Sequence, residues 1–269
     1  MLDDLGLQIQ SGSLPATLAT RIVGRDVRYV AQTGSTNHDL KLLARASVEE
    51  GLVLVTDEQT QGRGRRGRTW SAPPGSSLLS STLLRPTWLP PSDAFYLTIL
   101  AAVASAEAVE EVTSLRAGLK WPNDLQVHER KLGGILVETE VTDNLLTWAI
   151  LGIGLNVDWD IASVPELAAT ATTLASALGR PISRLHLLTA LIRHLDDRYV
   201  RLRVGERQRL FEDWRGRLTT LGRPVIAESA GRAIEGYAEA VTPDGSLVVR
   251  DHAGTRHELT AGDVTVRSQ

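Results

Sequence analysis

The chain has 269 residues, 42% of them hydrophobic, and a formal net charge of −3; that suits one large domain, or one with a small appendage, and argues against a general nucleic-acid binder built on a basic domain. It contains no cysteine, which excludes disulfides, thiol catalysis and cysteine-ligated zinc or iron–sulfur sites. Of its 29 basic residues only Lys41, Lys120 and Lys131 are lysine; in so arginine-biased a chain, a retained lysine points to a need for the compact charge of an ammonium.

In chain order, Met1-Leu2-Asp3-Asp4-Leu5 lacks the basic start and apolar core of a signal peptide. Apolar runs such as 97–104 are too short to span a bilayer, so the expectation is a cytoplasmic protein with no membrane contact. Residues 1 to about 25 are weakly patterned, and 27–30 reads as a strand. Ser35, Thr36 and Asn37 offer helix N-caps ahead of the helical spacing of Leu40, Leu43 and Ala44. The same hydroxyl and amide groups at a strand-to-helix junction could serve a ligand instead. Lys41 falls on the face expected to be solvated.

A strand at 52–56 leads into Gln59–Trp70, QTQGRGRRGRTW. Here Arg63, Arg65, Arg66 and Arg68 alternate with Gly62, Gly64 and Gly67. Glycine lets the backbone bend and approach a ligand; arginine brings permanent charge and a planar donor fork for phosphate or carboxylate. The loop suits an anion, and its like charges predict that it orders as the anion neutralises them. The glycines also match the dinucleotide fingerprint, but Ser71-Ala72-Pro73-Pro74-Gly75 follows where that motif needs a helix, so a Rossmann domain is rejected.

Residues 76–84 form a further strand, and Asp93 is placed to cap a long helix over 94–111. Strands are predicted at 119–121, 125–127, 134–139 and 147–155, with Pro122-Asn123-Asp124 as a turn and Gly133-Gly134 as a possible bulge. A short helix follows within 165–179, then an amphipathic helix from 183 to about 204 and another near 206–218. After Gly222 and Pro224 come short strands at 224–228, 232–241, 247–250 and 257–265. The pattern is α+β, with a mixed, largely antiparallel sheet over 1–221 and a small β-barrel over 222–269. The six histidines are scattered without metal-ligand spacing.

Taken together, the Gln59–Trp70 loop, Lys120–Asp124 (KWPND), Arg130–Leu136 (RKLGGIL) and Gly152–Asn156 (GIGLN), preceded by Thr33–Asn37 (TGSTN), resemble the biotin protein ligases. The resemblance runs from about Val27 to the C-terminus. It implies a class II synthetase-like biotin/lipoate ligase fold with an SH3-like C-terminal barrel. It also implies ATP-dependent formation of biotinyl-5′-AMP, then transfer of biotin to a lysine of a biotin carboxyl carrier domain. By the same resemblance, Ser35, Thr36, Asn37, Gln59, Gly62, Arg63, Gly64, Arg65, Lys131 and Gly133 would bind biotin. Arg63, Arg65, Arg66, Arg68, Trp70, Lys120, Asn123, Lys131 and Asn156 would hold ATP or the adenylate. Lys131, Asp124 and Arg65 would be catalytic, and Mg2+ would be held mainly through the phosphates.

Some such ligases carry an N-terminal helix-turn-helix of about sixty or more residues and repress transcription. Here about 25 weakly patterned residues precede the first motif, so the expectation is an enzyme without a DNA-binding role, with monomer and homodimer both left open. Two alternatives remain. One is a lipoate or octanoate ligase or transferase of the same fold, against which the GRGRRGR loop and KWPND argue. The other is a non-enzymatic nucleic-acid binder, which the net charge disfavours.

Overall fold

The computed structural model describes residues 5–10, 18–229, 232–260 and 262–266. A seven-stranded sheet is built from β1 (Asp26–Thr33), β2 (Leu52–Gln59), β3 (Ser77–Leu84), β4 (Gly118–Lys120), β5 (Asp124–Val127), β6 (Arg130–Thr142) and β7 (Leu145–Asn156). Its spatial order is β1-β2-β3-β7-β6-β5-β4. The first pair is parallel because α2 (Thr36–Arg45) crosses over between its strands; every other pair is antiparallel.

Both faces of the sheet are covered, and the period-two alternation of strand side chains divides the core. On β2, Val53 and Val55 join the large core, whereas Leu52 and Leu54 join a smaller one under α2. On β7, Ala149, Leu151, Ile153 and Leu155 face the large core. Trp148 and Ile150 face the α2 side, and the next two positions on that side are Gly152 and Gly154. The sheet thus runs from packed core to bare backbone along one strand, and the cavity described below opens over that bare stretch.

On the large-core face, α3 (Phe95–Thr113) lies against the sheet and packs on α6 (Arg184–Arg203) and α7 (Arg207–Arg217). By length and composition α3 could cross a membrane, but most of it is buried here, which accounts for its near-uniform apolarity. Between α3 and α6, Glu107 pairs with Arg198 and His194, and Arg198 also pairs with Asp213. Burial pushes the Glu107 carboxyl up, but hydrogen bonds from His194 and Arg198 outweigh it and bring its pKa down to about 2. The hydrogen bond to Glu107 raises the pKa of His194. On α6, buried Asp196 accepts the main-chain N–H groups of Arg21, Ile22 and Val23 at 2.9, 2.7 and 2.9 Å. This ties the weakly patterned N-terminal stretch to the core, where Leu5 of α1 (Leu5–Gln10) is fully buried.

The remaining strands, β8 (Pro224–Ser229), β9 (Arg232–Val241), β10 (Leu247–Asp251), β11 (Arg256–Leu259) and β12 (Asp263–Val266), form a five-stranded antiparallel sheet in the order β11-β10-β9-β8-β12. Among the described residues no pairing closes it into the expected barrel. It docks through Trp121, whose Nε1 donates to Gly245 O at 2.8 Å. Three expectations fail locally. The single strand expected at 257–265 is two, β11 and β12, at opposite edges of this sheet. Asp93 does not cap α3; it lies in a 3₁₀ turn before Ala94, the N-cap residue, and pairs with Arg207. Lys41 is not solvated; it pairs with Glu138 of β6 with 22% of its side chain exposed.

Candidate functional site

The cavity at the α2 side of the sheet has a volume of about 250 Å³. Its floor is the bare stretch of β7. A Cβ on Gly152 would fall 2.3 Å from Asn37 Oδ1, and one on Gly154 would fall 2.9 Å from the Trp70 ring. Neither position tolerates a side chain without displacing a wall of the cavity. Gly134 of β6 completes the floor, 3.6 Å from Trp70 Cζ3 by the same measure.

Lys131 reaches this floor because of a β-bulge. In the β5–β6 pairing Gly133 opposes Leu125 and Lys131 opposes Gln126, so Leu132 is the extra residue. Three positions apart, Lys131 and Gly134 would otherwise point to opposite faces; the bulge turns Lys131 onto the face of Gly134. Its backbone is fixed independently, with Lys131 N donating to Thr170 O and Thr172 N donating to Lys131 O. Its ammonium then lies 2.8 Å from the Asp124 carboxylate. Gly133 itself does not line the cavity: its side-chain position is filled by Gly154 O and Leu155. The floor glycine is Gly134, one residue on from the sequence expectation, because the bulge shifts the alternation at Leu132.

The Arg-Gly loop forms the wall facing the floor. It is a hairpin, held by Trp70 N to Gly62 O at 3.0 Å and Gly64 N to Arg68 O at 2.7 Å. A 3₁₀ turn at Arg65–Gly67 closes its tip, with Arg66 in the left-handed region at φ 56°. No helix follows the glycines, consistent with the rejection of a dinucleotide fold. Arg65 Nη1 donates to Asn123 Oδ1 at 3.2 Å, and Asn123 Nδ2 donates to Ile135 O at 2.7 Å. The loop is thereby fastened across the mouth to the segment after the cis Trp121–Pro122 peptide. Beyond it lies an outer cavity of about 730 Å³, which Gly62, Arg66 and Gly67 line.

The third wall is the N-terminus of α2. Ser35 occupies the N-cap position but makes no side-chain cap bond. The cap is supplied from β2 instead: Gln59 Oε1 accepts from Thr36 N at 3.0 Å and lies 3.1 Å from Thr36 Oγ1. Thr36 and Asn37 are 3% and 4% exposed, yet both line the cavity with Ser35 and Gln59.

Of the residues singled out from sequence, Ser35, Thr36, Asn37, Gln59, Arg63, Gly64, Arg65, Arg68, Trp70, Lys120, Asn123, Asp124 and Lys131 all line this inner cavity. Asn156 lies outside both cavities, and its Nδ2 donates to Thr172 O at 3.2 Å. At the end of β7 it is joined by that bond to the 170–172 segment, which also holds the Lys131 backbone. Sequence reasoning missed Ser80, Gly152 and Gly154, and it missed Val264 and Thr265 of β12, which bring the C-terminal sheet to the cavity edge. The GIG spacing was the available signal for the floor, since residues two apart on a strand share a face.

Among the described residues, five cations, Arg63, Arg65, Arg68, Lys120 and Lys131, line the inner cavity against one carboxylate, Asp124. Such a focused positive field favours a polyanion. Among the described residues no group of three or more His, Asp or Glu side chains could hold a metal ion.

Comparison with known proteins agrees with this geometry. The biotin/lipoate A/B protein ligase family matches residues 29–156, and the biotin protein ligase C-terminal domain matches residues 220–267. The chain is 33% identical over 245 residues to the biotin–[acetyl-CoA-carboxylase] ligase of Mycobacterium tuberculosis, covering 89% of this chain and 88% of that protein. It is 30% identical over 245 residues to the bifunctional ligase/repressor BirA of Bacillus subtilis, covering 91% and 75% respectively. Among solved structures it is similar to the biotin protein ligase of Aquifex aeolicus in complex with biotin and ATP. That match has a TM-score of 0.77 at 26% identity and covers 91% of this chain and 100% of that one.

Proposed function

This chain belongs to the biotin protein ligase family, and on that premise we propose that it joins biotin to ATP as biotinyl-5′-AMP and passes the biotinyl group to a lysine of a carboxylase carrier domain. The observation that carries the reading is the convergence of Lys131, the arginine loop and the α2 N-terminus on one glycine-floored cavity.

In the first half-reaction a biotin carboxylate oxygen attacks the α-phosphorus of ATP. The bond from that phosphorus to the bridging oxygen breaks, and pyrophosphate leaves. Two anions must approach each other, so the barrier is largely electrostatic. Lys131 sits on the cavity floor, where a compact ammonium meets both the carboxylate and the α-phosphate. Asp124 holds that ammonium in place at 2.8 Å. Arg63, Arg65 and Arg68 cover the phosphates from the loop side, and Trp70 offers a flat apolar face for the adenine. Ser35, Thr36 and Gln59 face the polar ring of biotin. Magnesium would enter with ATP as its counter-ion and would supply charge neutralisation to the phosphates, because Asp124, the cavity carboxylate among the described residues, is already paired with Lys131.

In the second half-reaction the neutral amine of the acceptor lysine attacks the biotinyl carbonyl and AMP leaves. Asp124, beside Lys131 in the cavity, is placed to take or relay the proton lost by that amine. Val264 and Thr265 at the cavity edge give the C-terminal sheet a part in nucleotide or carrier engagement.

The reading is tested by incubating the chain with biotin, ATP and magnesium and detecting biotinyl-adenylate by mass, with lipoate and octanoate in parallel. A biotin-dependent adenylate is expected. Adenylate formed from lipoate or octanoate but not from biotin would overturn the substrate assignment.

A further inference from the structure

A row of three oxygen–oxygen contacts joins the α2 N-terminus to the sheet, and it has only two hydrogens to share. Asn37 Oδ1 lies 2.6 Å from Ser81 Oγ, Ser81 Oγ lies 2.7 Å from Thr36 Oγ1, and Thr36 Oγ1 lies 3.1 Å from Gln59 Oε1. Both ends of the row are amide oxygens, which only accept, and each hydroxyl between them carries a single proton. The direction of the row is therefore set from outside it. Asn37 Nδ2 faces Leu136 O at 3.2 Å and Glu138 Oε2 at 2.8 Å. Both of these only accept, and Lys41 pairs with the other Glu138 oxygen. Asn37 must then present its oxygen to Ser81. Ser81 spends its proton on Asn37, and Thr36 spends its own within the row, on Ser81 Oγ at 2.7 Å or on Gln59 Oε1 at 3.1 Å, and in neither case towards the cavity. Gln59 Oε1 is satisfied by the Thr36 main-chain N–H at 3.0 Å.

We infer that Glu138, which does not line the inner cavity, is a positioning residue for the ligand: acting through Asn37 and Ser81, it commits the Thr36 proton inward and leaves Thr36 Oγ1 as a hydrogen-bond acceptor towards the cavity. A ligand that presents a ring N–H at that point, as a ureido ring does, is accepted; one that presents an oxygen there meets two lone pairs. The inference rests on the biotin reading above and adds to it a residue that no motif contains. Glu138 is the pivot, because its carboxylate alone can accept from both Lys41 and Asn37.

The test exploits the polarity of an amide. In Glu138→Gln, Lys41 takes the amide oxygen and turns the NH2 towards Asn37, so a donor faces a donor. The biotin KM should rise about tenfold, the effect of one mispaired buried hydrogen bond, while kcat for adenylate formation stays within about twofold. Lys41→Ala leaves the Glu138 carboxylate accepting from Asn37, and its KM should stay within about threefold of the unaltered protein. The double variant Lys41→Glu/Glu138→Gln puts a carboxylate against the amide NH2 and returns the amide oxygen to Asn37. It should restore the KM to within about threefold of the unaltered chain, although it removes the native ion pair. A packing role alone predicts no such rescue. A Glu138→Gln protein with unaltered KM, or a double variant no better than Glu138→Gln, would overturn the inference while leaving the functional reading intact. Failure of the unaltered chain to activate biotin would overturn both.

Discussion

Truncating Lys131 separates chemistry from folding. Its side chain is 38% exposed and its ion-pair partner, Asp124, is 23% exposed, so the pair contributes about 0–1 kcal/mol to stability. The backbone at 131 is held by main-chain bonds to Thr170 and Thr172 and by the bulge at Leu132, none of which needs the side chain. Lys131→Ala should therefore fold with a thermal midpoint within a few degrees of the unaltered protein. Catalysis should suffer far more. Removing one preorganised charge from the position where negative charge develops costs about 2.7–4 kcal/mol, or 10²–10³ in rate. Single-turnover biotinyl-adenylate formation, at saturating biotin and ATP, should fall by that factor. Lys131→Arg should fail as well, because a planar guanidinium cannot enter the gap above Gly134 that a compact ammonium fills. A folded Lys131→Ala protein forming adenylate at close to the original rate would refute the electrostatic argument.

Gly154→Ala should lower kcat/KM for biotin by about 10–100-fold, since the added Cβ would push Trp70 out of the cavity wall; steady-state kinetics of pyrophosphate release reads this. The Arg-Gly loop carries four trypsin sites in Gln59–Trp70, and biotin plus ATP should slow cleavage there, as peptide mapping would detect; equal cleavage with and without ligand would contradict closure over the adenylate. The Glu107 carboxyl is held at about 2 against an ordinary 4.5. Its contribution to stability is complete above 4.5 and is lost as pH falls towards 2, so Glu107→Gln should flatten the fall of the thermal midpoint across that window. The raised pKa of His194 has the opposite sign: its contribution is complete below the ordinary value of 6.5 and is lost as pH rises through the raised one.

Most of the architecture was legible in the sequence because alternation and turn chemistry are local. Most of the strands, the amphipathic α6 and the switch to an all-β pattern after Gly222 follow from short windows. The polar residues of the site were legible for a different reason: rare lysines and an arginine–glycine loop stand out by chemical type. What escaped was set by contacts distant in sequence. The bulge at Leu132 exchanges Gly133 for Gly134 on the cavity floor. Gln59 caps α2 from another strand, Asn156 turns to Thr172, and Lys41 finds Glu138 on β6. Val264 and Thr265 reach the cavity only because Trp121 and Gly245 dock the second sheet beside it.

The central claim is that one cavity both makes biotinyl-adenylate and delivers its acyl group to a carrier lysine. The most direct measurement is a single-turnover chase. The chain is loaded with biotin and ATP, freed of unbound nucleotide, and mixed with a biotin carboxyl carrier domain or the same domain with its acceptor lysine changed to arginine. The account predicts that the carrier gains one biotinyl group as bound adenylate disappears and AMP is released, and that the arginine carrier gains none. Adenylate that persists on the enzyme in the presence of the intact carrier, or equal labelling of both carriers, would contradict it.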